Sequence, residues 1–134
     1  MEWTNESGIE DFTGNEGFLY RIDYTDGTYY YGKKNFTHQV KTPLGKKEMA
    51  QRTDKRTKTY KRVLRETNWR KYEGSTSNSM GKTIRKKTIL RVIKTKRELT
   101  FREAELLFTN KVLSDSLCLN DNILGKFFGT FKDE

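Results

Sequence analysis

The stretch "GFLYRIDYTDGTYYYGKK", residues 17–34, decides the fold that we predict for this chain. Apolar and polar side chains alternate over residues 18–24, which is the pattern of a half-buried strand. Asp26 and Gly27 follow, and these residue types tolerate the backbone of a tight hairpin turn. Residues 29–31 return as a second strand. The sequence therefore predicts a tyrosine-rich β-hairpin, whose rings suit packing and whose hydroxyls suit contact with a phosphate.

The rest of the chain is strongly basic and poor in apolar residues. Of 134 residues, 33% are apolar and 34% charged, and the formal net charge is +9. Residues 1–16 hold five acids and no Lys or Arg, whereas residues 41–97 hold 20 Lys and Arg against 4 acids. Such a charge indicates a polyanionic partner, nucleic acid first and an anionic membrane second, with binding that weakens steeply in salt. The alternative is a solvated face that only keeps the protein in solution.

Cysteine and histidine usage excludes two classes of site. Cys118 is the single cysteine, so no internal disulfide forms, and with the lone histidine it cannot supply the four or so ligands of a zinc site. No apolar run approaches the roughly 20 residues that span a bilayer, and the acidic start is unlike a signal peptide. We expect an intracellular protein with no membrane partner.

Five further segments carry expectations of local structure. Residues 1–16 are polar and without period, which indicates a loose, flexible acidic arm. Residues 33–58 read as a long loop, and residues 59–66 and 79–87 as two short basic helices. The β-branched run at residues 89–93 predicts a third strand.

A longer helix is predicted to begin at Thr100. Thr100 and Glu103 have the spacing of a capping box, with Leu99 as its hydrophobic staple. The helix ends before Ser116, and the apolar tail after it is expected to pack back onto the sheet. The apolar stripe of this helix is expected to consist of Phe101, Ala104, Phe108 and Val112.

Several of these segments resemble one nuclease family. The motifs "FLY" and "YYG", nine residues apart, resemble the paired signature of the GIY-YIG nucleases, and "NWRKYEGSTS", "ILRVIKTKRELTFREAELLF", "KVL" and "LNDNILGKFF" follow in the order seen in small phage-encoded, homing-endonuclease-like members. The resemblance covers about residues 17–131. It implies an α+β fold with a small three-stranded antiparallel sheet flanked by helices. It also implies one domain over residues 17–134, with a long basic insertion at about 33–71.

The resemblance also implies hydrolysis of DNA phosphodiesters with one divalent cation, Mg²⁺ or Mn²⁺. Tyr20 and Tyr30 would lie on neighbouring strands and orient the water and the phosphate. One phenol acts as base only if cations or the metal lower its pKa from about 10. Lys33 and Lys34 stand next to the second motif for this purpose, and Gly32 would let backbone approach the substrate.

Glu103 falls where the family has its metal-binding glutamate, and Asn120 where a late asparagine supports the site. The alternative for Glu103 is a role in the capping box, and for Asn120 an ordinary turn. The family's arginine, usual on the first helix, has no clear counterpart, since no arginine precedes Arg52 after the second motif. Arg52, Arg56, Arg62 and Arg65 are all candidates for its role, and we favour Arg62 or Arg65. Lys33 or Lys34 is the alternative as an electrostatic clamp, although a lysine lacks the fork of a guanidinium.

The remaining basic and aromatic residues are expected to contact DNA. Stacking on a base and packing are both open for Trp69, as are a phosphate contact and plain turn chemistry for Ser75. Specificity would come from the insertion, from a second protomer in a homodimer, or from a partner protein. We expect a phage-encoded endonuclease in the host cytoplasm, and the alternative is a catalytically inactive nucleic-acid-binding protein on the same scaffold. The predicted DNA contacts are Lys34, Arg52, Arg56, Arg65, Trp69, Ser75, Lys82 and Arg85.

Overall fold

The structure is a computed structural model that describes residues 1–51 and 58–129. In these residues neither α-helix is long and apolar enough to cross a membrane. A single 3₁₀ turn covers Ser77–Ser79. The strands and helices are β1 (Trp3–Asn5), β2 (Gly17–Tyr24), β3 (Tyr29–Asn35), β4 (Thr37–Pro43), α1 (Lys46–Ala50), β5 (Tyr60–Glu66), β6 (Ile84–Ile93), α2 (Lys96–Thr109), β7 (Asn122–Ile123) and β8 (Phe127–Phe128).

The main sheet has four strands in the order β1-β6-β2-β3. Strands β6, β2 and β3 are antiparallel neighbours, and β1 runs parallel to β6. The predicted α+β class is confirmed, but the prediction of three antiparallel strands is wrong, because Trp3–Asn5 adds a fourth, parallel strand.

The predicted tyrosine-rich hairpin is confirmed. Strands β2 and β3 pair so that Tyr20 lies opposite Gly32 and Ile22 opposite Tyr30. Gly27 turns the chain with a φ of 88°, the left-handed region that glycine enters without steric cost. The Asp26 carboxylate accepts the Thr28 amide at 3.0 Å and closes the turn.

The first sixteen residues are not a loose arm in this structure. Besides β1, the indole of Trp3 donates to the Trp69 carbonyl at 2.8 Å. Phe12 stacks on Phe36 with ring centroids 4.8 Å apart and meets the edge of Trp69. The prediction rested on the acidic composition of the segment, which gives no sign of these aromatic contacts. The contacts hold the segment against the sheet.

The predicted loop and helices between residues 33 and 87 are wrong as well. Strands β4 and β5 form a second hairpin, a two-stranded sheet in which Val40 lies opposite Val63. Strand β6 begins at Ile84, so the second basic helix is absent, and the predicted strand at 89–93 is the end of a longer one. These pairings join distant segments, and a local pattern does not reveal them.

Helix α2 starts earlier than predicted. Thr95 is its N-cap, and the Thr95 hydroxyl accepts the Glu98 amide at 3.2 Å. Leu99 and Leu107 are its buried residues, whereas Phe101 is 59% exposed and the expected stripe is therefore wrong. The helix ends at Thr109.

The sheet is covered on both faces. One face of β2 packs Phe18, Tyr20 and Ile22 against Trp69. The other face brings α2 and the tail against β3, β6 and Leu19. The predicted return of the tail to the sheet is confirmed at Cys118, whose backbone forms an isolated parallel β-bridge with Tyr29.

Candidate active site

Tyr20 and Gly32 form the centre of the candidate site. The β2–β3 register places them opposite each other, and Tyr20 is 1% exposed. A Cβ added to Gly32 would lie 2.5 Å from Cζ of Tyr20, closer than real contacts allow. The missing side chain of Gly32 is therefore the space in which the phenol lies. The sequence led us to expect that Gly32 lets the backbone approach the substrate. In the structure the space beside Gly32 is filled by the ring of Tyr20.

Three tyrosines gather at this point. The ring of Tyr20 lies 6.2 Å from that of Tyr30 and 5.9 Å from that of Tyr72. Burial raises the pKa of Tyr20, and the charges that Tyr30 and Tyr72 would carry raise it further. Burial also raises the pKa of Tyr30, although a hydrogen bond with the Ser75 side chain lowers it. Both phenols of the family signature thus keep their protons at neutral pH in the free protein.

Glu103 approaches the tyrosines from helix α2. It lies four residues from both Leu99 and Leu107, the buried residues of α2, so the face that packs on the sheet also carries the carboxylate. Burial raises the pKa of Glu103, and the nearby Lys33 ammonium opposes this. Lys33 is held by a hydrogen bond of 3.1 Å to the hydroxyl of Thr100. Because the helix is capped at Thr95, the capping-box alternative for Glu103 is excluded.

Tyr30 and Glu103 share one polar pocket of about 410 Å³. Its walls come from strand β3, helix α2, the turn at residues 75–77 and the tail at residues 120–125. Most of the lining groups carry oxygen atoms: the carboxylate and amide oxygens can bind a hydrated cation, and the hydroxyl groups can donate to a phosphate. The polar lining residues are Tyr30, Tyr31, Ser75, Thr76, Ser77, Glu103, Asn120, Asp121 and Asn122.

Asn120 fixes the wall of this pocket to the sheet. The Asn120 side chain accepts the Tyr31 amide at 2.9 Å and donates to the Tyr31 carbonyl at 2.8 Å. It is 5% exposed, and the thiol of Cys118 lies 3.1 Å from its oxygen. These contacts exclude the alternative of an ordinary turn and show a side chain that closes the edge of β3.

The pocket suits a hard divalent cation. Glu103 and Asp121 are its two carboxylates, and Mg²⁺ commonly takes one or two protein carboxylates and fills its other positions with water and phosphate. Among residues 1–51 and 58–129, no three His, Cys, Asp or Glu gather into a full metal cage. The raised pKa of Glu103 marks a carboxylate that a cation would stabilise.

The candidate arginines lie elsewhere. Arg62 and Arg65 are exposed on β5 and do not line the pocket of Glu103. A neighbouring cavity of about 590 Å³ is lined by Lys33, Lys34 and Tyr72, and the Lys34 ammonium lies 4.2 Å from the Tyr72 ring centroid. These lysines place positive charge beside Tyr72.

The other predicted DNA contacts have mixed positions. Trp69 is 5% exposed beneath the N-terminal segment, so the packing alternative describes its contacts. Ser75 lines the Glu103 pocket, Lys82 forms an ion pair with Asp26, and Arg85 is exposed. Arg52 and Arg56 lie outside the described residues.

Sequence reasoning missed one residue behind the tyrosines, Lys87. Lys87 is 1% exposed, and its ammonium donates to the Tyr72 carbonyl at 2.6 Å and lies 4.4 Å from the Trp3 ring centroid. Burial lowers the pKa of Lys87. Tyr72 stood in a recognised motif, but no signal in the sequence separated Lys87 from the many exposed lysines around it.

A comparison with family models finds a match over most of the chain. The model described as "Putative endonuclease segE, GIY-YIG domain" matches residues 3–123. The match includes β1, the tyrosine hairpin, the β4–β5 hairpin, Glu103 and Asn120. Searches of curated proteins and of solved structures find no match to the chain.

Proposed function

The chain belongs to the GIY-YIG endonuclease family of the segE type, and from this premise we propose that it hydrolyses phosphodiester bonds of DNA with one divalent cation. The family is one of nuclease domains, for which DNA is the substrate. The observation that carries the proposal is the shared pocket of Tyr30 and Glu103, with Tyr20 packed directly behind. The resemblance to small phage proteins supports a phage-encoded enzyme that meets its DNA in the host cytoplasm.

The proposed mechanism assigns the phenols to orientation. Hydrolysis needs an aligned water and positive charge near the oxygens that gain negative charge. Tyr30 lines the pocket and donates its hydroxyl proton to the phosphate or the water, while Tyr20 holds the ring of Tyr30 in place from the core. Because burial raises the pKa of both phenols, neither is assigned as the base.

Charge at the reacting phosphate comes from two sources. Glu103, assisted by Asp121, would hold Mg²⁺ or Mn²⁺, and a bound cation of this kind polarises the phosphate and stabilises the leaving oxygen. Lys33 adds a fixed positive charge beside Glu103 in the role for which the family uses an arginine. A lysine lacks the two-pronged geometry of a guanidinium, so it acts as a point charge.

Glu103→Gln tests the metal role directly. We expect nicking of a supercoiled plasmid in Mg²⁺ to fall at least about 100-fold, the scale of losing one main electrostatic group in an active site. Binding of a DNA duplex without divalent ions should stay within about twofold. The matched control is Glu105→Gln on the same helix, where the carboxylate is exposed and pairs with Arg102, and it should cleave normally.

A chelator gives the complementary test. Removing divalent ions should stop cleavage by the unchanged protein, and adding Mg²⁺ or Mn²⁺ should restore it. If Glu103→Gln cleaves like the control variant, the metal role is wrong. If the purified protein binds DNA but cuts none at any concentration of Mg²⁺ or Mn²⁺, the alternative of an inactive nucleic-acid-binding protein replaces this proposal.

A further inference from the structure

The β4–β5 hairpin stands apart from the main sheet. Its two strands pair with each other in a separate two-stranded sheet, and none of their residues is fully buried. A two-stranded hairpin of this kind is only marginally stable in water and adds little to a core. Its exposed side chains are therefore better explained by a partner than by packing.

Three cations gather around Tyr60 at the end of this hairpin that is far from β3. Lys41 lies directly opposite Arg62 in the register, so both side chains are on the same face, and Tyr60 follows on that face two residues from Arg62. The Tyr60 ring centroid lies 4.5 Å from the Lys41 ammonium, 5.5 Å from that of Lys58 and 6.0 Å from the Arg62 guanidinium carbon. Like charges directly opposite each other destabilise a strand pair. An anion between them would remove this cost.

Lys61 and Arg65 lie on the opposite face of the hairpin. Lys61, opposite Thr42, forms an ion pair of 2.6 Å with Glu48. Among the residues that the structure describes, no ion pair involves Lys41 or Arg62. Among the described residues Arg65 has no ion pair either, so the contrast on these two strands is between the unpaired Lys41 and Arg62 and the neutralised Lys61.

We propose that the β4–β5 hairpin is a DNA-binding arm whose Lys41–Arg62 face lies against the phosphates of duplex DNA. This proposal rests on the proposed function, which makes DNA the substrate. A two-stranded ribbon fits the major groove, and Lys, Arg and tyrosine hydroxyls are common phosphate contacts. The arm would hold the duplex, while the hairpin of Tyr20 and Tyr30 cuts it.

The connection between arm and site supports this division. Strand β3 ends at Asn35 and β4 begins at Thr37, so the arm continues directly from the strand that carries Tyr30. His38 of β4 lines the same cavity as Lys33, Lys34 and Tyr72. His38 lies on the other face of β4 from Lys41, so this cavity adjoins the base of the arm, and a duplex held on the arm would lie next to the strand that carries Tyr30.

The test compares two double variants of equal charge. Lys41→Gln/Arg62→Gln removes the arm cations, and Lys61→Gln/Lys86→Gln removes two lysines that pair with Glu48 and Glu6. Affinity for a labelled 30-base-pair duplex is measured without divalent ions over a range of salt. The arm variant should bind at least about tenfold more weakly at 0.1 M salt, with a salt slope lower by about two, and the control should change by less than half of this.

Folding and cleavage measurements keep the result interpretable. The arm variant should melt close to the unchanged protein, because the repulsion that it loses is offset by the lost contacts of both cations with the Tyr60 ring. If it melts clearly lower, Lys41→Gln and Arg62→Gln are tested singly for a slope change of about one each. The single-turnover cleavage rate with DNA saturated by protein should stay within about threefold. Equal weakening in arm and control variants, or none in either, overturns the arm while leaving the nuclease intact. If only the arm variant binds DNA more weakly, and the unchanged protein never cuts DNA, the DNA-binding role of the arm is supported and the proposed nuclease activity is wrong.

Discussion

At the scale of single residues, the site depends on a pair that is decided by strand register. Tyr20 can be both fully buried and close to Tyr30 because the residue across from it has no side chain. The "YYG" motif therefore contains Tyr30, which lines the pocket and to which we assign phosphate binding as a proposal, and Gly32, whose missing side chain leaves room for Tyr20. By leaving this space, Gly32 allows the Tyr20 ring to pack against the site from the core.

Gly32→Ala is expected to destabilise the protein by about 1–3 kcal/mol, the usual cost of overpacking a core. The new methyl group would collide with a buried ring that has no exposed direction in which to move. Urea unfolding of Gly32→Ala, Tyr20→Leu and the double variant measures the coupling. Tyr20→Leu removes the ring that the new methyl group would meet. The double variant should therefore lose less stability than the sum of the two single losses, by more than about 0.5 kcal/mol. Strict additivity would show that the ring is not what the methyl group meets.

Single residues also show how far the sequence reaches. Tyr20, Tyr30 and Glu103 were candidates from their motifs, and the structure brings them together. Lys87 was not a candidate, because burial of a lysine depends on what packs over it, here Trp3 from the other end of the domain's sequence. Contacts of this kind are decided by the fold and leave no local pattern.

At the scale of elements, the edge of β3 is closed by the tail rather than by another strand of the main sheet. The Leu119 amide donates to the Tyr29 carbonyl at 2.7 Å, and the Tyr29 amide donates to the Leu117 carbonyl at 3.0 Å. Farther along, the side chain of Asn120 takes both backbone groups of Tyr31. An amide side chain can do this because it offers one acceptor and one donor, as a peptide group does.

Asn120→Ala should therefore destabilise the protein by about 2–4 kcal/mol, because it leaves a buried amide and a buried carbonyl of Tyr31 without partners. Thermal unfolding gives the loss of stability, and hydrogen exchange at the Tyr31 amide should become faster than exchange elsewhere in the sheet. Asn122→Ala, two residues along the same tail, loses only exposed hydrogen bonds and serves as the control. Equal effects from both substitutions would contradict a special role for Asn120.

Elements also show why the helix start was mispredicted. The stretch 95–103 contains two successive boxes, Thr95 with Glu98 and Thr100 with Glu103, and both satisfy the capping pattern. The choice between them is made by the sheet, which buries Leu99 and Leu107 and leaves Phe101 exposed. The same choice frees Glu103 for the pocket. The β4–β5 hairpin was missed for a related reason, since its pairing joins residues about twenty positions apart.

At the scale of the whole molecule, acidic and basic segments are joined into one body. The N-terminal sixteen residues supply β1, and Glu6 lies 3.6 Å from the Lys86 ammonium. Composition predicted the excess of positive charge but not that the acidic segment would help to build the sheet. The charge pattern of a segment indicates its partners and its solvation. Its packing depends here on two aromatic residues, Trp3 and Phe12, which contribute little to the overall composition.

Trp3 is the residue through which the N-terminal segment supports the site. Its ring lies 5.1 Å from Phe18 and 5.5 Å from Tyr20, and its indole donates to the Trp69 carbonyl. Trp3→Ala should destabilise the protein by about 3 kcal/mol and lower the melting temperature by about 10 °C. Trp3→Phe keeps a ring and should lose about a third of that, the share of one hydrogen bond.

The control for this prediction is Glu2→Ala, an exposed neighbour that should melt like the unchanged protein. Because Tyr20 loses its support, Trp3→Ala should also slow cleavage at a temperature where it is still folded, and Glu2→Ala should not. An unchanged melting temperature in Trp3→Ala would return residues 1–16 to the status of a loose arm. A lower melting temperature with an unchanged rate would show that Tyr20 keeps its position without Trp3.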